Sequence, residues 1–393
     1  VPVMQPAIAP VVQAVTDAIT APDQPSLQAI AAQITDTFAA FGARDKALCG
    51  ADGSMVKVTN TPVRGITVDV FYLEVPLGIN AAKVEYQAKN LRMHLGAKDV
   101  RVELDPDGAH MRVLVEREVR DPVPGLTLLL EPTDATLPLF LGRDIVTRQA
   151  IIEDLAKLPH LLVAGTTGAG KSNELNMILA GLHKRCRPEQ MRTVLVDAKG
   201  GNELRKWSTA PHCVAGMAVD AKQAIALLRK VAAEMDWRYS LGFASLGDIT
   251  GTVVAPEGIL TPAGEHTSLP RIVVVVDEQA ELMMREPELA SATEDLEVRI
   301  AQVGRAMGVH EIVCTQSPRV EVITGLLKAN ITAKLVFQVS NSTESTVALD
   351  RTGAQNLFGE GEFYFSRGGA RKLIRGQAGL LTTMEANQCV ASL

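Results

Sequence analysis

Leu161-Leu-Val-Ala-Gly-Thr-Thr-Gly-Ala-Gly-Lys-Ser172 decides the reading of this chain. Leu161 to Ala164 is an apolar run of strand length, and Gly165, four further residues and Gly170-Lys171-Ser172 meet every fixed position of the G-x-x-x-x-G-K-[ST] phosphate-binding loop. Its glycines allow a turn tight enough that the backbone N–H groups of Gly165, Thr166, Thr167, Gly168, Ala169 and Gly170 point at phosphate oxygens. A helix predicted from about Lys171 adds the positive end of its dipole. Lys171 is expected to reach the β- and γ-phosphates, and the Ser172 hydroxyl to ligate Mg²⁺. The bland alternative is a glycine-rich turn that binds nothing. The apolar stretch behind the loop, with Leu175, Ile178, Leu179 and Leu182 at helical spacing, favours the phosphate loop.

The whole chain has 393 residues, long enough for two or three domains, so the loop accounts for only part of it. Hydrophobic residues make up 47% and aromatics 4%, the balance of an α/β protein with an aliphatic core. No apolar run approaches the ~18 residues of a membrane span, and the N-terminus lacks the charged region of a secretory signal, so the expected location is the cytoplasm. The five cysteines are scattered without a C-x-x-C pair, which points to free thiols. A net charge of -6 argues against a surface coated in positive charge. It does not exclude nucleic acid, because a ring-shaped motor needs basic groups only along its channel.

Outward from the loop the chain changes texture. Residues 1–60 read as a Pro/Ala-rich leader and an N-terminal helix, with Leu27, Ile30, Ile34, Phe38 and Phe41 on one stripe and Ser26 as N-cap. Residues 61–125 read as a small α+β domain: a strand over 66–75, a helix over 82–95, strands at 100–104 and 111–115, and a linker at Asp121-Pro-Val-Pro-Gly125. Residues 126–393 read as a doubly wound, mostly parallel sheet, with ligands at the carboxyl ends of its strands and a surface insertion over 242–270.

Arg271-Ile-Val-Val-Val-Val-Asp-Glu278 is an apolar strand ending in two acids. Asp277 is expected to hold the Mg²⁺ shell and Glu278 to orient and deprotonate the attacking water, against the alternative of acids that merely cap a strand. Gln316, after the strand Glu311–Thr315, is placed beside the γ-phosphate, or else is a polar strand end. Asp197 and Lys199 end the neighbouring strand; they either support the site from behind or form a salt-bridged turn.

Several segments resemble the FtsK/SpoIIIE family of hexameric double-stranded DNA translocases. They are residues 158–172, Val273 to Met284, Arg305-Ala-Met-Gly-Val-His310 with Cys314-Thr-Gln-Ser-Pro318, Val322 to Asn330, Phe337-Gln-Val-Ser340, and Leu349 to Ala354 with Gly359-Glu-Gly361. The resemblance runs in order from about residue 60 to about 376. It implies a RecA-like P-loop ATPase that binds ATP and Mg²⁺, assembles as a homo-hexamer around duplex DNA and pumps it. It makes Arg305 the guanidinium delivered to a neighbour's γ-phosphate; the alternative is a surface arginine at a helix end. It makes Lys328 a DNA contact, with Arg319 standing near where the family has an arginine directly after Thr-Gln. Ser317 and the neutral stretch Asn341 to Thr346 depart from the family pattern, leaving DNA grip to Lys328, Arg319, hydroxyls and backbone N–H groups. The family's membrane-spanning and winged-helix parts have no counterpart, which fits either a trimmed motor or a stand-alone plasmid or phage relative. Two other classes fit the loop: an ATPase that moves protein or protein–DNA conjugates, and a non-motor ATP-dependent switch.

Overall fold

The computed structural model describes residues 26–105, 108–249, 251–368 and 373–393, and the chain divides into two units, Val1–Val119 and Arg120–Leu393. The leader proposed for the first residues lies outside the described part.

In the first unit, helix α1 (Leu27–Gly42) starts at Ser26, whose side chain accepts from the Ala29 N–H. Strands β1 (Lys57–Arg64) and β2 (Val68–Glu74), helices α2 (Ala81–Glu85) and α3 (Ala88–Leu95), and strands β3 (Val100–Leu104) and β4 (Met111–Glu116) follow. The sheet runs β1-β2-β4-β3, antiparallel throughout. Ile34 and Phe38 of α1 share one core with Val84, Leu91, Phe71, Leu73 and Val113, so the helical stripe is a packing face of this unit. The helix expected over 82–95 is two short ones, each sending one residue into that core.

The second unit opens with α4 (Gly125–Leu128), β5 (Pro138–Asp144), β6 (Ala150–Asp154), β7 (His160–Ala164), α5 (Lys171–Arg185), β8 (Met191–Val196), β9 (Cys213–Ala218) and α6 (Ala221–Ser240). Then come β10 (Val253–Ala255), β11 (Gly264–His266), β12 (Arg271–Val276), α7 (Gln279–Met284), α8 (Pro287–Val303) and β13 (Val309–Thr315). Last are α9 (Gly325–Asn330), β14 (Ala333–Phe337), α10 (Ser342–Leu349), β15 (Glu362–Ser366), β16 (Ile374–Gln377) and α11 (Thr383–Ala391). One sheet has the order β6-β5-β16-β15-β14-β7-β13-β12-β8-β9. The six strands from β14 to β9 are parallel, and the other four join antiparallel.

The parallel strands are mostly apolar because helices cover both faces. Leu175, Ile178 and Leu179 of α5 pack with Leu161, Val163 and Leu335 on one face. Leu228, Val231 and Met235 of α6 and Ile300 of α8 pack with Val274 and Val276 on the other. The insertion is held to α6 by a buried cluster: Thr261 donates through its N–H and hydroxyl to Glu234, which also accepts from Arg238. Among the described residues no helix is long and apolar enough to cross a membrane, and all five cysteines are free thiols.

Candidate active site

The phosphate loop leaves β7 and is fixed at both ends by backbone hydrogen bonds. Gly165 N–H donates to Thr315 O at 3.2 Å, Thr166 N–H to Gln338 O at 2.9 Å, and Gly361 N–H to Ala169 O at 2.9 Å. Gly168 and Gly170 have φ of 80° and 121°, a region that favours glycine. A Cβ on Gly170 would stand 2.8 Å from Gly361 Cα, so this position also needs a glycine for close approach. Ser172 lies in the first turn of α5, which begins at Lys171. Asn173 clamps that turn from the other side, donating to Gly379 O and accepting from Leu381 N–H.

Around the loop the parallel strands bring the expected groups together. The register pairs Val276 of β12 with Val196 of β8 and with Val313 of β13, so residues just beyond these strands share one edge of the sheet. Lys171 Nζ donates to Asp277 Oδ1 at 2.8 Å and to Asp277 O at 2.9 Å, in a pair whose side chains are 2% and 1% exposed. Burial works against the Lys171 ammonium, but the carboxylates of Asp277, which also accepts its hydrogen bond, and Glu278 outweigh that and hold its pKa above the ordinary lysine value. Burial drives the Cys314 thiol the other way, well above its usual range, so it stays neutral beneath the site. Glu174 of α5, fully buried with neither carboxyl oxygen hydrogen-bonded, is likewise pushed towards its neutral form by burial.

Glu278 accepts from the Thr315 hydroxyl at 2.8 Å, from the Gln316 N–H at 3.1 Å, and from Lys199 Nζ at 3.0 Å. Gln316 Oε1 in turn accepts from the Thr167 hydroxyl at 2.8 Å. One network therefore runs from the phosphate loop through Gln316 to Glu278 and out to Lys199. Lys199 reaches back to Glu278, while Asp197 closes a turn by accepting from the N–H groups of Glu203 and Leu204, so the turn is held by backbone hydrogen bonds and not by the salt bridge of the alternative reading. Thr315 is the member that pattern reading missed. Its only sequence signal is a hydroxyl at a strand end, which by itself carries no chemistry.

Three expected residues lie away from this cluster. Arg305 is exposed in the turn before β13, at the opposite end of that strand from Thr315 and so about 20 Å away. Arg319 is exposed on the segment after Gln316. Lys328 sits where the parallel strands begin, on the sheet edge opposite the phosphate loop. Its ammonium pairs with Asp350 Oδ1 at 2.7 Å and donates to Thr346 O at 3.1 Å. With Lys334, Asp350 and Arg351 it lines a cavity of about 540 Å³. Lys334 also pairs with Asp350.

A six-stranded parallel core wound on both faces, with a glycine loop turning from a central strand into a helix and an acidic pair at the end of the next strand but one, defines a P-loop nucleotide-binding α/β protein. Residues 130–320 match the sequence profile of the FtsK/SpoIIIE family. The DNA translocase FtsK of Bacillus cereus is 37% identical over 354 residues, covering 86% of this chain and 43% of that protein. The DNA translocase SpoIIIE of Bacillus subtilis is 33% identical over 386 residues, covering 94% of this chain and 46% of that protein. The chain belongs to the FtsK/SpoIIIE family and spans somewhat less than half the length of these relatives. Among solved structures, the pCW3 conjugation coupling protein TcpA, in monomer form with ATPγS, superposes with a TM-score of 0.60 at 22% identity, covering 92% of this chain and 99% of that one. The cytoplasmic domain of the type VII secretion ATPase EccC of Thermomonospora curvata does so with a TM-score of 0.56 at 23% identity, covering 69% of this chain and 32% of that one. At these identities the two structures speak to the fold.

Proposed function

We propose that this chain is the motor region of an ATP-driven double-stranded DNA translocase that works as a homo-hexameric ring. The observation that carries the reading is the single network joining the phosphate loop, Asp277, Glu278 and Gln316 at one sheet edge, in a chain similar to DNA translocases over most of its length.

In this reading the loop N–H groups and Lys171 bind the triphosphate, and Lys171 exchanges part of its contact with Asp277 for phosphate oxygens. The Ser172 hydroxyl and the Asp277 carboxylate are hard oxygen donors, the kind Mg²⁺ prefers, and both belong to the loop's end of the sheet. When bound, Mg²⁺ neutralises charge on the β- and γ-phosphate oxygens. Glu278 accepts the proton of the attacking water, and Gln316, tied to Thr167, registers whether the γ-phosphate is present. Arg305 is too far from its own subunit's loop to act there, which supports its role as the guanidinium supplied to a neighbouring subunit's nucleotide. Lys328 and Arg319 are proposed phosphate contacts for duplex DNA. For Lys328 this requires the DNA phosphate to compete with Asp350.

The test is steady-state ATP hydrolysis with and without linear duplex DNA. Strong stimulation by duplex, lost in Lys171→Ala and Glu278→Gln, is the expected result. Turnover indifferent to duplex would instead favour a motor that moves protein, and absence of turnover would favour a nucleotide-dependent switch.

A further inference from the structure

The carboxylate of Glu278 is more fully occupied than a working general base should be. Oε1 accepts from the Thr315 hydroxyl at 2.8 Å and the Gln316 N–H at 3.1 Å; Oε2 accepts from the same N–H at 3.2 Å and from Lys199 Nζ at 3.0 Å. A carboxylate offers about four acceptor positions, and here four contacts meet a side chain that is 2% exposed. Those four contacts come from three donors, the Gln316 N–H being shared between the two oxygens, and they leave the buried carboxylate little room to take a proton from water.

Two of the three donors belong to β13 and the residue after it, fixed in the middle of the sheet. Lys199 is different. Its side chain is 37% exposed, and it precedes Gly200 and Gly201, at φ of 88° and 80°. A Cβ on Gly201 would meet Met217 Cε at 2.5 Å, whereas Gly200 has open space around it. The turn is therefore anchored at Gly201 and Asp197, while its exposed tip is held by one surface contact, Arg205 donating to Gly200 O at 3.3 Å. Glu278 is surrounded by Asp277 on its own strand end, Lys171 from α5, Cys314, Thr315 and Gln316 from β13, and Lys199 from the β8 turn. Among the described residues Lys199 is the one cation in direct contact with it.

We propose that Lys199 is a positioning residue that caps Glu278: seated, it holds the carboxylate out of use, and its withdrawal frees Oε2 for the attacking water. This rests on the reading of Glu278 as the general base. The step then balances: the water oxygen bonds to the γ-phosphorus, the bond to the β–γ bridging oxygen breaks with its electron pair leaving on ADP, and the water proton passes to Oε2. Exposed on the protein surface, the turn that carries Lys199 is where a signal from outside the subunit would act.

The experiment compares the wild type, Lys199→Met, Lys199→Arg and Glu278→Gln in the full chain. It measures ATP turnover from pH 6 to 9 with and without linear duplex DNA, and the Kd of a fluorescent ATP analogue. Lys199→Met is expected to raise duplex-free turnover ~3-fold or more at pH 8.5, because the base is uncapped, and to shrink the stimulation by duplex. Kd stays within about twofold of wild type, which also reports that the variant is folded, and Lys199→Arg restores the wild-type profile. Duplex-free turnover at or below wild type at every pH, with Kd preserved, overturns the capping role. A wild type without turnover, or a Glu278→Gln variant with full turnover, sinks the motor reading itself and the cap with it.

Discussion

Replacing Lys171 by methionine should do more than weaken nucleotide binding: it should destabilise the nucleotide-free protein. Lys171 Nζ makes both a carboxylate and a carbonyl contact to Asp277 in a pair that is almost wholly excluded from water. Deleting one member of such a pair leaves an uncompensated buried charge, at a cost of about 3–5 kcal/mol. In a domain of this order of size each kcal/mol moves the melting temperature by about 2–4 °C, so a fall of about 6–20 °C is expected without nucleotide. A Lys171→Met/Asp277→Leu double variant should recover most of the loss, since removing both charges together is close to neutral. The assay is thermal or denaturant unfolding of all four members of the cycle at pH 7.5. A single variant within about 1 kcal/mol of wild type at pH 7.5 would refute the argument, showing that Asp277 finds water or another donor once the lysine is gone.

Glu311 of β13 is fully buried and neither of its carboxyl oxygens is hydrogen-bonded; burial, with the charge of Glu297 second, raises its pKa well above the ordinary carboxylate value. The folded state thus holds a proton that the unfolded chain releases above about pH 4.5, so stability falls as pH rises beyond that point. Glu311→Leu should remove this dependence and raise the denaturant midpoint at pH 8 more than at pH 5.5; a variant less stable than wild type at pH 8 would contradict it. Arg305→Ala should leave ATP affinity near wild type and abolish turnover, with turnover partly restored when the variant is mixed with subunits whose own loop is disabled by Lys171→Ala; equal loss of binding and turnover would place Arg305 in its own subunit's pocket.

Much of this molecule is written in local sequence. The loop at 165–172 needs glycine where φ is positive and where Gly361 comes within contact distance, and no other residue type serves there. The run Ile272 to Val276 is apolar at every position because both of its faces are covered, so the central strand and the acids that follow it are legible without coordinates. Strands β15 and β16 escape such reading. They are short, and Glu362 and Arg375 are buried among their apolar residues as a salt-bridged pair that blurs the alternation.

What the sequence alone determined, then, is the phosphate loop, the acidic pair and the parallel core, because steric and burial constraints act on neighbouring residues. Only the tertiary structure decided that Lys199, Thr315 and Gln316, from two different strands, converge on one carboxylate, and that Lys328 pairs with Asp350 beside a cavity on the far edge. Those contacts depend on strand order and register, and no residue announces, by its type or its spacing along the chain, which strand will lie beside its own.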